Sequence, residues 1–345
     1  MNDLLKANTG VLGAGTWGCT LASLLSPKAP LVRLWDSSSQ VRQNLLQTRT
    51  PFKLPHLKLP TNVLIDEHLS STVADSDLLI IVVPSHAVRS LCEQLVKADP
   101  NLDRKIFVLC SKGLEQETLL PLSGVMVDVM GEAIRDRFCY LSGPTHAEEV
   151  SRKMPTSIVA SAYNLGLARR IQEIFHTDYL RVYTHDDVLG AELGGAIKNV
   201  IAIAAGICDG LGFGDNTKAA LITRGLAEII RLAVTMGARR ETFSGLAGVG
   251  DLIVTATSNH SRNRNFGWLL AKGRSMEEAM KEIGMVVEGV RTAHTVMALA
   301  RKHNVQMPIS REIYRILYEG KAARDAVPDL MERSPKPEIY GPGSP

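Results

Sequence analysis

Val11-Leu12-Gly13-Ala14-Gly15-Thr16-Trp17-Gly18-Cys19-Thr20-Leu21-Ala22-Ser23-Leu24-Leu25 is the stretch on which the reading of the whole chain turns. Residues 13–18 spell G-x-G-x-x-G between a short apolar run and a helical segment. In that setting Gly13 permits a tight turn, Gly15 lets a pyrophosphate approach the backbone, and Gly18 lets helix and strand pack closely. The helix N-terminus then points free N–H groups at the anion. Six letters alone arise easily by chance, so the flanking pattern has to carry the inference. One local feature opposes it: Gly10 stands inside the first strand, where an aliphatic residue would pack better.

Outward from this turn, short apolar runs rich in β-branched residues alternate with helical segments up to about residue 186. Candidate strands are Val11-Leu12, 31–35, 62–65, 78–83, 106–110, 138–141, 158–160 and 181–183. The run Leu78-Leu79-Ile80-Ile81-Val82-Val83 shows no polar alternation, as a central strand covered on both faces requires. Strand and helix in turn imply an α/β, mostly parallel, doubly wound sheet of the Rossmann type. Beyond residue 187 the strand signals stop. Leu193, Ile197, Val200, Ile201 and Ala204 form one helical stripe, and further helices are expected at 217–236, 263–272, 275–283, 288–303 and 310–319. The expected organisation is therefore a dinucleotide-binding domain over 1–187, an all-α domain over 188–331, and a tail over 332–345. Pro335, Pro337, Pro342 and Pro345 with Gly341 and Gly343 give that tail a composition that cannot bury a core.

Composition agrees with a globular chain of about two domains: 345 residues, 45% hydrophobic and 22% charged. The formal charge of +3 is not gathered into blocks, so nucleic-acid or membrane-surface binding has no support. The five cysteines, at 19, 92, 110, 139 and 208, form no C-x-x-C pair and read as small buried hydrophobes in a reducing compartment. Nine histidines include no H-x-x-x-H or H-E-x-x-H, so no metal site is expected. No apolar run approaches 18 residues and no signal-peptide core opens the chain, which leads to an expectation of a cytoplasmic protein without a membrane anchor.

Asp36 ends the second strand near the ~20-residue offset at which an acid hydrogen-bonds a ribose 2′-hydroxyl. Such an acid repels a 2′-phosphate, so NAD is expected over NADP; the competing reading makes Asp36 a cap for the next helix. Lys198 is a charge within an apolar helix, and its same-face neighbours Gly194, Gly195 and Ala202 are expected to leave open space for a ligand around the ammonium. Desolvation there lowers a lysine pKa toward the range useful for proton transfer. Asp251, in the turn Gly248-Val249-Gly250-Asp251, could pair with that lysine or serve as a helix cap. Ser261, Arg262 and Asn263 precede a helix and form a phosphate seat, or else a solvated basic turn. Lys112 and the segment 143–149 follow the fifth and sixth strands, on the edge of an open α/β sheet where ligands bind.

Taken together, these segments resemble the NAD(P)-dependent glycerol-3-phosphate dehydrogenases of bacterial type. The matching motifs, in order, are Gly-Ala-Gly-Thr-Trp-Gly at 13–18, Val-Val-Pro-Ser-His at 82–86, Ser-Lys-Gly-Leu-Glu at 111–115 and Ser-Gly-Pro-Thr-His-Ala at 142–147. Leu-Gly-Gly-Ala-Ile-Lys-Asn-Val at 193–200, Gly-Asp-Leu at 250–252, Ser-Arg-Asn-Arg at 261–264 and Val-Val-Glu-Gly at 286–289 follow. The resemblance spans about residues 9 to 330. It implies a Rossmann-like N-terminal domain, an all-α C-terminal domain like that of 6-phosphogluconate dehydrogenase, and interconversion of dihydroxyacetone phosphate and sn-glycerol 3-phosphate for glycerophospholipid synthesis. By matching motif it implies Lys198 as acid/base, with Asp251 beside it. Lys112, Gly143, Thr145, Ser261, Arg262 and Asn263 fall where the family contacts substrate, and Thr16, Trp17, Lys112, Ala147, Arg262, Val286 and Glu288 where it contacts the dinucleotide. Two departures stand out. Asp36 and Ser37 occupy positions where NADP-using members carry Arg or His, and His146 replaces an aromatic residue. Helical second domains of this kind often bury a dimer face, so a homodimer is expected.

Two rivals follow from the same residues. A related two-domain hydroxy-acid dehydrogenase would need a carboxylate site in place of the phosphate seat. A protein that senses NADH without turnover would have little use for Lys198 beside a complete phosphate loop.

Overall fold

The structure is a computed structural model that describes residues 7–99, 101–335, 337 and 338. The expectation for the tail at 332–345 falls mostly outside those residues. All eight expected strands are present: β1 (Thr9–Leu12), β2 (Val32–Trp35), β3 (Val63–Ile65), β4 (Leu78–Ile81), β5 (Ile106–Leu109), β6 (Phe138–Ser142), β7 (Thr156–Ser161) and β8 (Leu180–His185). They form one sheet in the order β3-β2-β1-β4-β5-β6-β7-β8. Pairing is parallel except between β6 and β7, which run antiparallel. The helices between them are α1 (Thr16–Leu25), α2 (Ser39–Thr48), α3 (Leu69–Ala74), α4 (Val88–Ala98), α5 (Leu122–Met130), α6 (Ala147–Val150) and α7 (Leu165–Phe175).

The continuous apolar run of β4 has the burial it predicts. Leu78 and Ile80 pack with Val11 into the core on one face, while Leu79 and Ile81 pack with Leu12 on the other. All four β4 side chains are fully buried. Gly10 corrects the expectation that an aliphatic residue would pack better there. A Cβ at Gly10 would stand 2.7 Å from Ser76 Oγ and 2.9 Å from Leu79 Cδ2, so any side chain there would force these neighbours to move.

The second half is helical: α8 (Val188–Leu211), α9 (Asp215–Thr235), α10 (Asp251–Thr257), α11 (Arg262–Ala271), α12 (Met276–Ile283), α13 (Glu288–Lys302), α14 (Pro308–Tyr318) and α15 (Ala326–Met331). α8 is the hub, packed by α9, α10, α11 and α13. By length and composition α8 could cross a membrane, but 94% of its apolar window is buried inside the fold. Two glycines set its closest crossing. A Cβ on Gly206 would lie 1.8 Å from the Arg264 carbonyl oxygen, and one on Gly267 would lie 2.0 Å from that of Ile203. Backbone therefore meets backbone where α8 crosses α11, which seats the N-terminus of α11 beside the middle of α8.

One expectation fails locally. Asp251 was expected in a glycine-flanked turn, but it is the first residue of α10, entered through a wide helical turn over Leu246–Gly250. The glycines that suggest a turn serve contact instead: a Cβ on Gly248 would stand 2.3 Å from the backbone of Phe243.

Candidate active site

The turn after β1 has the features an anion needs. Gly13 adopts φ +113°, a conformation suited to glycine, and a Cβ on Gly18 would lie 1.8 Å from the Gly13 carbonyl oxygen, so the turn closes tightly on α1. A Cβ on Gly15, by contrast, would meet nothing within 4 Å, so that backbone faces open space. No side chain caps α1 and no acid stands in its first turn, which leaves its N–H groups and dipole for a bound anion. These features fit a dinucleotide pyrophosphate.

Asp36 holds this turn in place. Its Oδ2 accepts from the Ala14 N–H at 2.8 Å and its Oδ1 from the Ser38 N–H at 2.9 Å. Ser38, not Asp36, is the N-cap residue of α2. The carboxylate also lines the cavity that opens from the glycine turn, about 530 Å³ in volume. The same cavity is lined by Gly13, Gly15, Thr16, Trp17 and Gly18 of the glycine turn, by Lys112, Thr145, Lys198 and Asp251, and by Ser261, Arg262, Asn263, Val286 and Glu288 of the helical half. Gly143 and Ala147 do not line it. The Gly143 carbonyl accepts from Lys112 Nζ at 3.0 Å, and Ala147 is buried at the start of α6.

At the centre, one carboxylate serves two lysines. Asp251 Oδ1 accepts from Lys198 Nζ, and Asp251 Oδ2 accepts from Lys112 Nζ at 2.7 Å. Lys198 is 5% exposed and Asp251 1% exposed, so each charge depends mainly on its protein partners. Burial pushes the Lys198 ammonium down to about 7; Lys112 adds repulsion, and Asp251 opposes both effects. The open space expected around Lys198 from its small neighbours is not there. A Cβ on Gly194 would stand 2.5 Å from the Ala247 carbonyl oxygen, and one on Gly195 would stand 3.0 Å from Tyr140 Oη. The glycines let other elements press against α8, while the cavity reaches the ammonium from the other side.

Two contacting residues escaped the sequence reading. Thr255 Oγ1 accepts from Lys198 Nζ at 2.8 Å and donates to the Asp251 carbonyl at 2.6 Å. Its signal, one helical turn beyond Asp251, is visible only once 251–257 is read as helix. Asn199 Oδ1 accepts from Asn263 Nδ2 at 2.9 Å, and Asn263 Oδ1 accepts from the Gly289 N–H at 2.9 Å, which ties α8, α11 and α13 together below the cavity.

On the helical side Ser261 caps α11, accepting from the Arg264 N–H at 3.3 Å, so its hydroxyl is part of the helix start. Arg262 is exposed to the cavity, with Nη1 donating to the Val286 carbonyl at 2.9 Å. Glu288 accepts from the Ser85 N–H at 3.0 Å and Oγ at 2.5 Å, clasping the loop after β4 to the start of α13. Among the described residues no cluster of His, Cys, Asp and Glu could hold a metal ion.

Comparison with known proteins points the same way as this geometry. Residues 8–168 match the model of the NAD-dependent glycerol-3-phosphate dehydrogenase N-terminus, and 187–328 that of its C-terminus. The glycerol-3-phosphate dehydrogenase of Prosthecochloris aestuarii, named for NAD(P)+, is 47% identical over 330 residues, covering 95% of this chain and 99% of that one. A like-named protein of a Thermoanaerobacter species is 47% identical over 332 residues, covering 96% and 98%. The crystal structure of glycerol-3-phosphate dehydrogenase from Coxiella burnetii superimposes with a TM-score of 0.90 at 36% identity, covering 95% of this chain and 100% of that one. A glycine turn that fits a dinucleotide, a buried lysine on the adjoining helical half, and two family models laid end to end along one chain lead to one conclusion: it belongs to the NAD-dependent glycerol-3-phosphate dehydrogenase family.

Proposed function

We propose that this chain reduces dihydroxyacetone phosphate to sn-glycerol 3-phosphate, reversibly, and so supplies glycerophospholipid synthesis. The observation that carries the reading is Lys198: a buried ammonium, held by Asp251 and Thr255, on the wall of the cavity that begins at the glycine turn. Domains over 1–187 and 188–331 meet at this cavity.

When bound, the nicotinamide supplies the hydride. Gly13, Gly15, Thr16, Trp17 and Gly18 hold the dinucleotide, with Asp36 taking the ribose hydroxyl and favouring NAD over NADP. Lys112, Arg262, Val286 and Glu288, which line the same cavity, would complete its setting. As negative charge builds on the ketone oxygen, Lys198 donates its proton there, a contribution of about 10²–10⁴-fold. Asp251 steadies the ammonium before transfer, and Lys112 brings a second positive charge to the same carboxylate. Arg262 with Ser261 and Asn263 at the start of α11 seats the phosphate, and that remote binding fixes the ketone beside Lys198. Thr145, which lines the cavity, bounds the substrate from the β6 side. The protein works as a cytoplasmic homodimer on this reading.

The test is direct. Purified protein with NADH and dihydroxyacetone phosphate consumes the 340-nm absorbance of about one NADH per ketone reduced. Hydroxy acids and their ketones leave it unchanged. Turnover of a carboxylate substrate in place of the phosphate would overturn the assignment.

A further inference from the structure

We propose that Arg264 is a positioning residue for the phosphate seat, holding the segment Ser261–Asn263 in register with the helix that carries Lys198. The inference rests on the dihydroxyacetone phosphate reading above. It adds a residue that does not itself line the cavity.

Arg264 is the third residue of α11 and meets α8 twice. A Cβ on Gly206 would lie 1.8 Å from the Arg264 carbonyl oxygen, so its main chain rests on α8 with no side chain between them. Three residues further along α8, Asp209 Oδ2 accepts from Arg264 Nε and Nη2, each at 2.7 Å. Lys218 on α9 pairs with the other oxygen of that carboxylate, so Asp209 is held from both sides.

The remaining guanidinium nitrogen faces the other way. Nη1 donates to Asn259 Oδ1 at 2.9 Å, in the loop that leads into α11. The next residue, Asn265, donates from Nδ2 to the Asn259 carbonyl at 2.8 Å, and the Arg264 N–H donates to Ser261 Oγ at 3.3 Å. One planar group therefore joins a carboxylate on α8 to the loop that delivers Ser261 and Arg262. A guanidinium presents its donors in a rigid fork, which the single ammonium of a lysine cannot reproduce. The bond between Asn263 and Asn199 ties the helix start to α8 as well, but it leaves the loop before Ser261 unheld.

The register matters because α8 carries the proton donor. Lys198 and Asp209 stand on one helix, about 16 Å apart along its axis at 1.5 Å per residue. In dihydroxyacetone phosphate a single methylene joins the ketone carbon to the phosphate ester. A seat that shifts along α8 therefore carries the ketone away from Lys198, and reactivity falls steeply with such displacement.

The experiment uses two variants. Arg264→Lys keeps a charge beside Asp209 but cannot span to Asn259; Asn259→Ala removes the far acceptor and leaves the Arg264–Asp209 pair in place. In both, KM for dihydroxyacetone phosphate and the Ki of inorganic phosphate competing with it rise together by about 5- to 30-fold, the loss of one hydrogen bond to a charged group, while kcat stays within about threefold. Should Arg264→Lys fail to fold, as read by its thermal melt, Asn259→Ala, at an exposed loop position, carries the comparison. A lowered melt with KM and Ki unchanged would overturn the inference in favour of a purely structural brace. A raised KM in Arg264→Lys with Asn259→Ala unaffected would overturn it too, since the span to the loop would then do nothing. Failure of inorganic phosphate to compete in the unaltered protein, or absence of any turnover of dihydroxyacetone phosphate, would instead remove the functional reading beneath it.

Discussion

Lys198 on α8 and Asp251 at the start of α10 form a nearly buried ion pair on the cavity wall, with Lys112 on the other carboxylate oxygen. A buried pair of this kind is a poor source of stability, because desolvation offsets much of the attraction. In the proposed reaction its value is chemical: burial weakens the hold of Lys198 on its proton, while Asp251 holds the amine in place.

Lys198→Ala lowers kcat by at least about 10²-fold, because no other group replaces the proton donor. Asp251 keeps Lys112 as its partner, so the carboxylate is not left unpaired and the fold survives. Steady-state kinetics beside a thermal melt separates the two effects; near-normal turnover in this variant removes Lys198 from the chemistry.

The pH dependence has opposite signs in the two directions. Ketone reduction needs Lys198 protonated, so kcat/KM declines as pH rises through about 7, the value to which burial lowers this ammonium. Alcohol oxidation needs the neutral amine and rises over the same interval. Profiles of both directions on one preparation check the sign, and parallel limbs would contradict the assignment.

Arg262→Ala weakens substrate binding by about 1.5–3 kcal/mol, the usual worth of a hydrogen bond to a charged group. That corresponds to a KM raised roughly 10- to 150-fold. Inorganic phosphate as a competitive inhibitor loses potency in parallel. An unchanged KM would place the phosphate elsewhere.

Asp36→Ala shifts the ratio of kcat/KM for NADPH over NADH upward by roughly tenfold, since a nearby carboxylate repels a 2′-phosphate. Loss of the bond to the Ala14 N–H weakens both cofactors together, so the ratio isolates the electrostatic effect. A constant ratio would mean that Asp36 only braces the glycine turn.

Most of the fold was legible because its signals are local. Central parallel strands covered on both faces read as unbroken apolar runs, as Leu78–Ile81 does, and a glycine turn between such a strand and a helix is recognisable from its neighbours. The helical half was legible from its 3.6-residue stripe. Local reading failed where glycine has two meanings. At Gly10 and Gly194 the missing side chain serves a tight contact with a distant element, and at Gly248 one with the backbone five residues before it; spacing cannot tell these apart from a turn or an open space. Thr255 was lost for the same reason, since its role depends on α10 being a helix.

Lys198 and the glycine turn stood out as candidates from residue type and immediate context, because an unpaired charge in an apolar helix and a glycine-rich helix entry are costly anywhere else. Packing decided that Asp251 pairs with Lys198, which the sequence offered only beside the reading of a helix cap, and that Lys112 shares the carboxylate. These partners lie 53 and 139 residues from Asp251 along the chain. Only the crossing of α10 over α8 and the approach of the β5 strand end bring them within bonding distance, and contacts of that reach leave no periodicity in the chain to read.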